Sequence, residues 1–119
     1  MEQKDTGALP RIAFHRHTNL HIEVMNIEEL FHKLKNSDSH DPFAPHIIEF
    51  YFILVITDKS YTHLVDFNAH ELKRGSAIFV AQSQLHQFTE ELRFAEGYGI
   101  VFNNLFVDKH YLLTENVRL

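Results

Sequence analysis

Between His46 and Phe102 the chain repeats one pattern: a short run of β-favouring residues, then a brief turn. His46 to Thr57 is rich in Phe, Ile, Val and Tyr, and Asp58-Lys59-Ser60 closes it. Tyr61 to Phe67 is the next run, with Asn68-Ala69 as its turn. His70 to Leu72, Ala77 to Ala81, Leu85 to Thr89 and Phe94 to Phe102 follow. Lys73-Arg74-Gly75, Gln82-Ser83-Gln84 and Glu90-Glu91 separate them. β-branched and aromatic residues suit a pleated, half-buried surface. Connections this short join antiparallel neighbours, because parallel strands need a crossover of roughly a dozen residues. The pattern therefore predicts an all-β sandwich or barrel and excludes βαβ units.

The flanks read differently. Residues 1–10 form a loose leader ending at Pro10. Leu20, Ile22 and Val24 alternate with His21, Glu23 and Met25, which predicts a short strand of period two. Asn26 with Glu29 three residues on makes a capping box. Ile27, Leu30, Phe31 and Leu34 carry helical spacing behind it, so a helix is expected over 27–35. The run Asn36-Ser37-Asp38-Ser39-His40-Asp41 ends it, and Pro42 and Pro45 forbid regular structure up to His46. After the last strand, Asn103 or Asn104 caps a final helix carrying Leu105, Phe106, Lys109, Tyr111, Leu112 and Leu113. Those apolar residues need a partner surface. The expected division is an arm and strand-helix extension at 1–45, a barrel at 46–103, and a helical linker or dimerisation segment at 104–119.

Composition narrows the function. A chain of 119 residues suits one domain. It has no Cys, which excludes disulfides, thiol catalysis and thiolate zinc sites. No apolar run approaches the roughly 18 residues of a membrane span. Met1 to Asp5 is polar and lacks the apolar core of a secretory signal, so a cytoplasmic location is expected. The net charge of −5 argues against this chain gripping nucleic acid by itself. Ten histidines, nearly as many as the 11 Lys plus Arg, invite a metal reading.

The stretch from His46 to Phe106 resembles the N-terminal sensor domain of AraC-type transcriptional regulators, a branch of the cupin superfamily. Pro45-His46-Ile47-Ile48-Glu49-Phe50-Tyr51 looks like the start of the first cupin motif. Tyr61 to Phe67 is similar to the strand that follows, Leu72 to Val80 to the opening of the second motif, and Leu85-His86-Gln87-Phe88 to its close. Gly97 to Phe106 resembles the last strand and the start of a helix. The resemblance implies a cupin-type double-stranded β-barrel, a jelly roll of about eight strands, with a short N-terminal extension and a C-terminal helix.

In metal-binding cupins, four positions of the two motifs supply three histidines and a glutamate. Here those positions hold His46, Ile48, Phe52 and His86. Two donors have become apolar, and a transition-metal site usually needs three protein ligands. No metal and no cofactor are expected. The even-numbered residues of the first run share a face, so Ile48, Phe50, Phe52 and Leu54 accompany His46. The candidate ligand-binding set is His46, Ile48, Phe50, Phe52, His86, Phe88 and Phe102. It either lines an apolar pocket with a polar imidazole pair or simply fills the barrel, and filling is the favoured reading. His15, His17 and His21 read as solvated strand residues or part of an arm; His32, His40, His63, His70 and His110 read as surface residues. Glu49 falls on the odd face, away from the interior. No triad, phosphate loop or glycosidase-like carboxylate pair stands out, so no catalytic residue is expected.

The function implied by the resemblance is effector sensing and dimerisation, with DNA bound by a C-terminal helix-turn-helix domain absent from this chain. Expected partners are an unidentified small-molecule effector and a second copy, with no membrane. The alternatives are a small metal-dependent cupin enzyme and a stand-alone binding cupin.

Overall fold

The computed structural model describes residue 9 and residues 11–12, 21–36 and 41–106. Apart from Leu9, the expected N-terminal leader lies outside the described residues, as do His15, His17, His40, His110 and the apolar residues Tyr111, Leu112 and Leu113.

Among the described residues, nine strands form two sheets. They are β1 (Arg11–Ile12), β2 (Ile22–Asn26), β3 (His46–Ile48), β4 (Tyr51–Asp58), β5 (Tyr61–Val65), β6 (Asn68–Leu72), β7 (Ala77–Val80), β8 (Leu85–Gln87) and β9 (Glu96–Phe102). One sheet has the order β1-β3-β8-β5-β6 and the other β2-β9-β4-β7. All pairings are antiparallel except β1 with β3. The chain crosses repeatedly from one sheet to the other, and the core lies between them. This is the expected all-β jelly-roll barrel.

Helix α1 (Ile27–Lys35) starts where its capping box predicts and ends at the polar run that follows Lys35, as expected. The Glu29 amide donates to Asn26 Oδ1 at 2.8 Å, and the Asn26 amide donates to Glu29 Oε1 at 2.9 Å. Ile27 and Leu30 are buried. Gly99 makes room for the helix: a Cβ there would meet Leu30 Cδ2 at 3.1 Å and Phe52 Cε1 at 3.3 Å. At the other end of the barrel strands, Asn103 Oδ1 accepts from the Phe106 amide at 3.1 Å and starts one helical turn at 104–106.

Some boundaries differ from expectation, and β7 and β8 end early, at Val80 and Gln87. The run from His46 to Thr57 breaks at Glu49 and Phe50, so β3 and β4 belong to opposite sheets. The β5–β6 turn is Asp66-Phe67, not Asn68-Ala69. Both turn residues have positive φ, 52° and 68°, and Asp66 Oδ1 accepts from the Leu85 amide at 3.2 Å. Glu90–Phe94 forms a 3-10 turn, and the last strand starts only at Glu96.

The outward face of the β2-β9-β4-β7 sheet is unusual. Directly opposed residues share a face, so the registers place Ile22 and Val24 of β2 beside Tyr98, Ile100 and Phe102 of β9. Tyr51, Ile53 and Val55 of β4 and Ala77 and Phe79 of β7 continue the same face. Tyr51 stacks on Phe102 at 5.3 Å and on Phe79 at 5.9 Å between ring centroids. The next outward positions, Asp58 and Glu96, put acid at one end of the face, beyond a bulge at Ile56/Asp58.

Candidate functional site: a buried imidazole cluster

Among the described residues, three histidines on three adjacent strands lie in the barrel interior. His46 lies on β3, His86 on β8 and His63 on β5, and the strands neighbour one another in that order. His46 and His86 are opposed directly in register, with ring centroids 4.4 Å apart. All three are buried. They reach the interior by the period of the strand, since Tyr61, His63 and Val65 are buried while Thr62 and Leu64 are only partly so.

Hydrogen bonds connect the cluster. His46 Nδ1 donates to the Ala44 carbonyl at 3.0 Å. The Thr89 amide donates to the Tyr61 hydroxyl oxygen at 3.2 Å. The Tyr61 hydroxyl stands 2.8 Å from His63 Nδ1, and His63 Nε2 stands 3.0 Å from His86 Nδ1. We assign the hydroxyl proton to the bond with His63 Nδ1. His63 is then the Nε2–H tautomer and donates to His86 Nδ1. The result is a directed chain from Thr89 through Tyr61 and His63 to His86.

Burial keeps this chain neutral. It pushes the His63 pKa down to about 3, with further lowering from the positive charges that His46 and His70 would carry. Burial also raises the Tyr61 pKa far above its ordinary value; the hydrogen bonds with Thr89 oppose that rise without cancelling it. Apolar rings wall the cluster: Phe88 lies 4.9 Å from His63 and Phe52 lies 5.8 Å from His86, centroid to centroid. Ile48, Phe52 and Phe88 are buried.

The sequence-predicted set divides. His46, Ile48, Phe52, His86 and Phe88 come together in the interior, and Phe50 packs half-buried against the same core. Phe102 does not join them. It lies on the outward face, because the inward positions of β9 are Gly97, Gly99 and Val101. His63 was expected at the surface and is the residue that links the cluster. The available signal was its place between Tyr61 and Val65 at two-residue spacing. His32 and His70 are exposed, as expected, and Glu49 points outward to Arg11 at 3.3 Å.

The cluster does not fit a divalent metal. Both His63 nitrogens and the Nδ1 atoms of His46 and His86 are engaged in hydrogen bonds, and Ile48 and Phe52 offer no donor atom. Among the described residues, no group of three His, Asp or Glu side chains is arranged to hold an ion. A cleft of about 560 Å³ lies outside this interior, between the start of α1, the 3-10 turn and the head of β9. Phe31, Arg93, Phe94 and Tyr98 help to line it, and Arg93 sits 4.8 Å over the Phe94 ring. No motif pointed to this cleft.

The site and the topology define a double-sheet β-barrel with a polar, hydrogen-bonded cluster in an apolar interior. No family model and no curated protein sequence matches the chain. Among solved structures, it is similar to the EutQ protein of Clostridium difficile, with 13% identity, a TM-score of 0.40 and coverage of 51% of this chain and 49% of that one. The chain thus spans about half the length of EutQ. It is also similar to the plu4264 protein of Photorhabdus luminescens, with 9% identity, a TM-score of 0.45 and coverage of 97% of each chain. Among the described residues, no helix is long and apolar enough to cross a membrane.

Proposed function

We propose that this chain is the effector-sensing and dimerisation domain of an AraC-type transcriptional regulator. It acts in the cytoplasm, and DNA is held by a helix-turn-helix domain outside this sequence. The reading rests on one observation. The positions that resemble the cupin ligand set hold His46 and His86 beside Ile48 and Phe52; His46 Nδ1 is held by the Ala44 carbonyl and His86 Nδ1 by His63, which Tyr61 holds in turn. Such an interior suits a non-catalytic barrel, which binds by shape and a few polar groups. An effector that breaks the bond from His63 to His86 exchanges one arrangement of the barrel for another. That exchange shifts the population of states presented to the DNA-binding domain. The acidic charge of −5 agrees with DNA contacts carried elsewhere.

The native reading frame is the direct test. The proposal expects helix-turn-helix sequence after Leu119, and a frame that stops there without it sinks the regulator reading. A thermal-shift screen of small molecules then identifies the effector, since a ligand that binds only the folded barrel raises its Tm.

A further inference from the structure

The buried cluster leaves the surface cleft of about 560 Å³ without a role. Its walls come from the start of α1, the 3-10 turn Glu90–Phe94 and the head of β9. Three rings line it: Phe31, which is half-buried, and Phe94 and Tyr98, which are 65% and 50% exposed. Three charged side chains line it too: Glu28, Arg93 and Glu96. Other acids of the same elements are engaged elsewhere. Glu29 closes the capping box, Glu90 pairs with Lys35 at 3.3 Å, and Glu91 accepts from the Thr62 amide at 3.0 Å. Among the described residues, Glu28, Arg93 and Glu96 form no ion pair and no side-chain hydrogen bond. Uncommitted charge of both signs therefore gathers in the one place where two exposed rings border a cleft.

We propose that this cleft binds a zwitterion with an aromatic body, of the class of a free aromatic α-amino acid. Charge selects the class. The lining holds two carboxylates and one guanidinium. A polyanion would face both carboxylates, and a simple cation would face the guanidinium. A ligand that carries both signs uses both. Arg93 is prepared for its share, because its guanidinium lies 4.8 Å from the centroid of the Phe94 ring, and such stacking orients the planar group. Its fork of N–H groups matches a carboxylate through two parallel hydrogen bonds. The ammonium group falls to Glu28 and Glu96, and the ring of the ligand to Phe31, Phe94 and Tyr98. Aromatic pairs of this kind favour offset or edge-on contacts. Volume agrees, since sites for small molecules span about 300–1,000 Å³. The ion pairs are open to water, so a dissociation constant of about 0.1–1 mM is expected. The site lies outside the barrel interior, and it holds whether or not the chain regulates transcription.

The experiment titrates the isotope-labelled full chain with L-phenylalanine, up to about 10 mM, and follows the backbone amide resonances. Saturable shifts should appear at residues 27–31 and 93–98, with His63 and His86 unmoved. Two analogues divide the charges: 3-phenylpropanoate lacks the ammonium group and phenethylamine lacks the carboxylate. Each should bind about fivefold more weakly than the amino acid. Arg93→Gln should weaken L-phenylalanine and 3-phenylpropanoate without weakening phenethylamine. A Glu28→Gln/Glu96→Gln double variant should do the reverse. All three positions are exposed, so the variants should keep the circular dichroism spectrum of the wild type. The absence of a saturable shift overturns the proposal, and so do shifts centred on the barrel interior. An analogue that binds as tightly as L-phenylalanine overturns it as well, as does an Arg93→Gln chain that binds the amino acid like wild type. These outcomes leave the reading-frame test of the regulator untouched.

Discussion

His63 Nε2 and His86 Nδ1 face each other across 3.0 Å in the barrel interior, joining two strands through their side chains as well as their backbones. The bond needs His63 neutral if Tyr61 is to donate to its other nitrogen. The pKa of His63 is pushed down to about 3 by burial first and by His46 and His70 second. In the unfolded chain it titrates near 6.5. Between those values the unfolded state holds more protons than the folded one, so stability falls as pH falls. The contribution is complete above about pH 6.5 and lost by about pH 3. Its slope is at most about 1.4 kcal/mol per pH unit. Urea titrations at pH 7, 6, 5 and 4 should show this loss, and His63→Gln should flatten it. A His63→Gln chain with the same acid sensitivity as wild type would refute the assignment.

Tyr61→Phe removes the hydroxyl that accepts from the Thr89 amide and meets His63 Nδ1. The ring still fills its place, so no cavity opens. What remains is a buried imidazole nitrogen without its partner, a loss of about 1–3 kcal/mol. Chemical denaturation at neutral pH should show the midpoint falling with an unchanged slope. A midpoint equal to wild type would mean that the hydroxyl does not hold the chain of bonds together.

Asn26→Ala opens the capping box of α1. Two bonds go, from the Glu29 amide to Asn26 Oδ1 and from the Asn26 amide to Glu29 Oε1 as the box loosens. A cap of this kind is worth about 1 kcal/mol. Amide exchange should accelerate in residues 27–30, with little change in β4 or β9.

The same residue shows how much could be read from sequence. Asn26 and Glu29 fix the start of α1 through local bonds, so that boundary follows from four residues. The alternation of Phe, Ile and Val likewise places Ile48, Phe52 and Leu54 inside. Phe102 defeats that reasoning because its face depends on which neighbour β9 pairs with. The register with Tyr51 turns it outward, and no local signal carries that register. His63 was hidden differently. Its polarity suggested water, yet partners 2 and 23 residues away in sequence satisfy it inside. Long-range hydrogen bonding can reverse what residue type suggests. The turn after β5 escaped because Phe67 is an uncommon residue at positive φ.

That turn gives a prediction of opposite sign. Asp66-Phe67 has both φ values positive, which suits a two-residue hairpin but favours Asp-Gly over Asp-Phe. Phe67 is 73% exposed, so its ring gains little from burial. Phe67→Gly relieves a left-handed penalty of about 1–2 kcal/mol and adds back about 1 kcal/mol of chain entropy. The net expectation is a stabilisation of up to about 1 kcal/mol, read as a higher denaturation midpoint. A lower midpoint would show that the Phe67 ring holds a contact worth more than its strain.

Gly97 is the position where a single added carbon should do the most harm. It lies opposite Ile56, one residue before the bulge, with φ of 155°. A Cβ built there overlaps the Val55 carbonyl oxygen and crowds the Ile56 backbone. Neither is a flexible side-chain end that can swing aside. Gly97→Ala must therefore shift β4 away from β9, along the pairing that also positions the outward Tyr98 and Ile100. Steric and conformational strain add, and a loss of more than about 3 kcal/mol is expected. The variant should be recovered mostly as insoluble protein or melt far below wild type. Gly75→Ala is the matched control. It also has positive φ, 87°, but its Cβ meets nothing within 4 Å. Its loss should stay near the 1–2 kcal/mol of a left-handed alanine. Equal losses at the two glycines would mean that φ alone, and not the approach of Val55, governs Gly97.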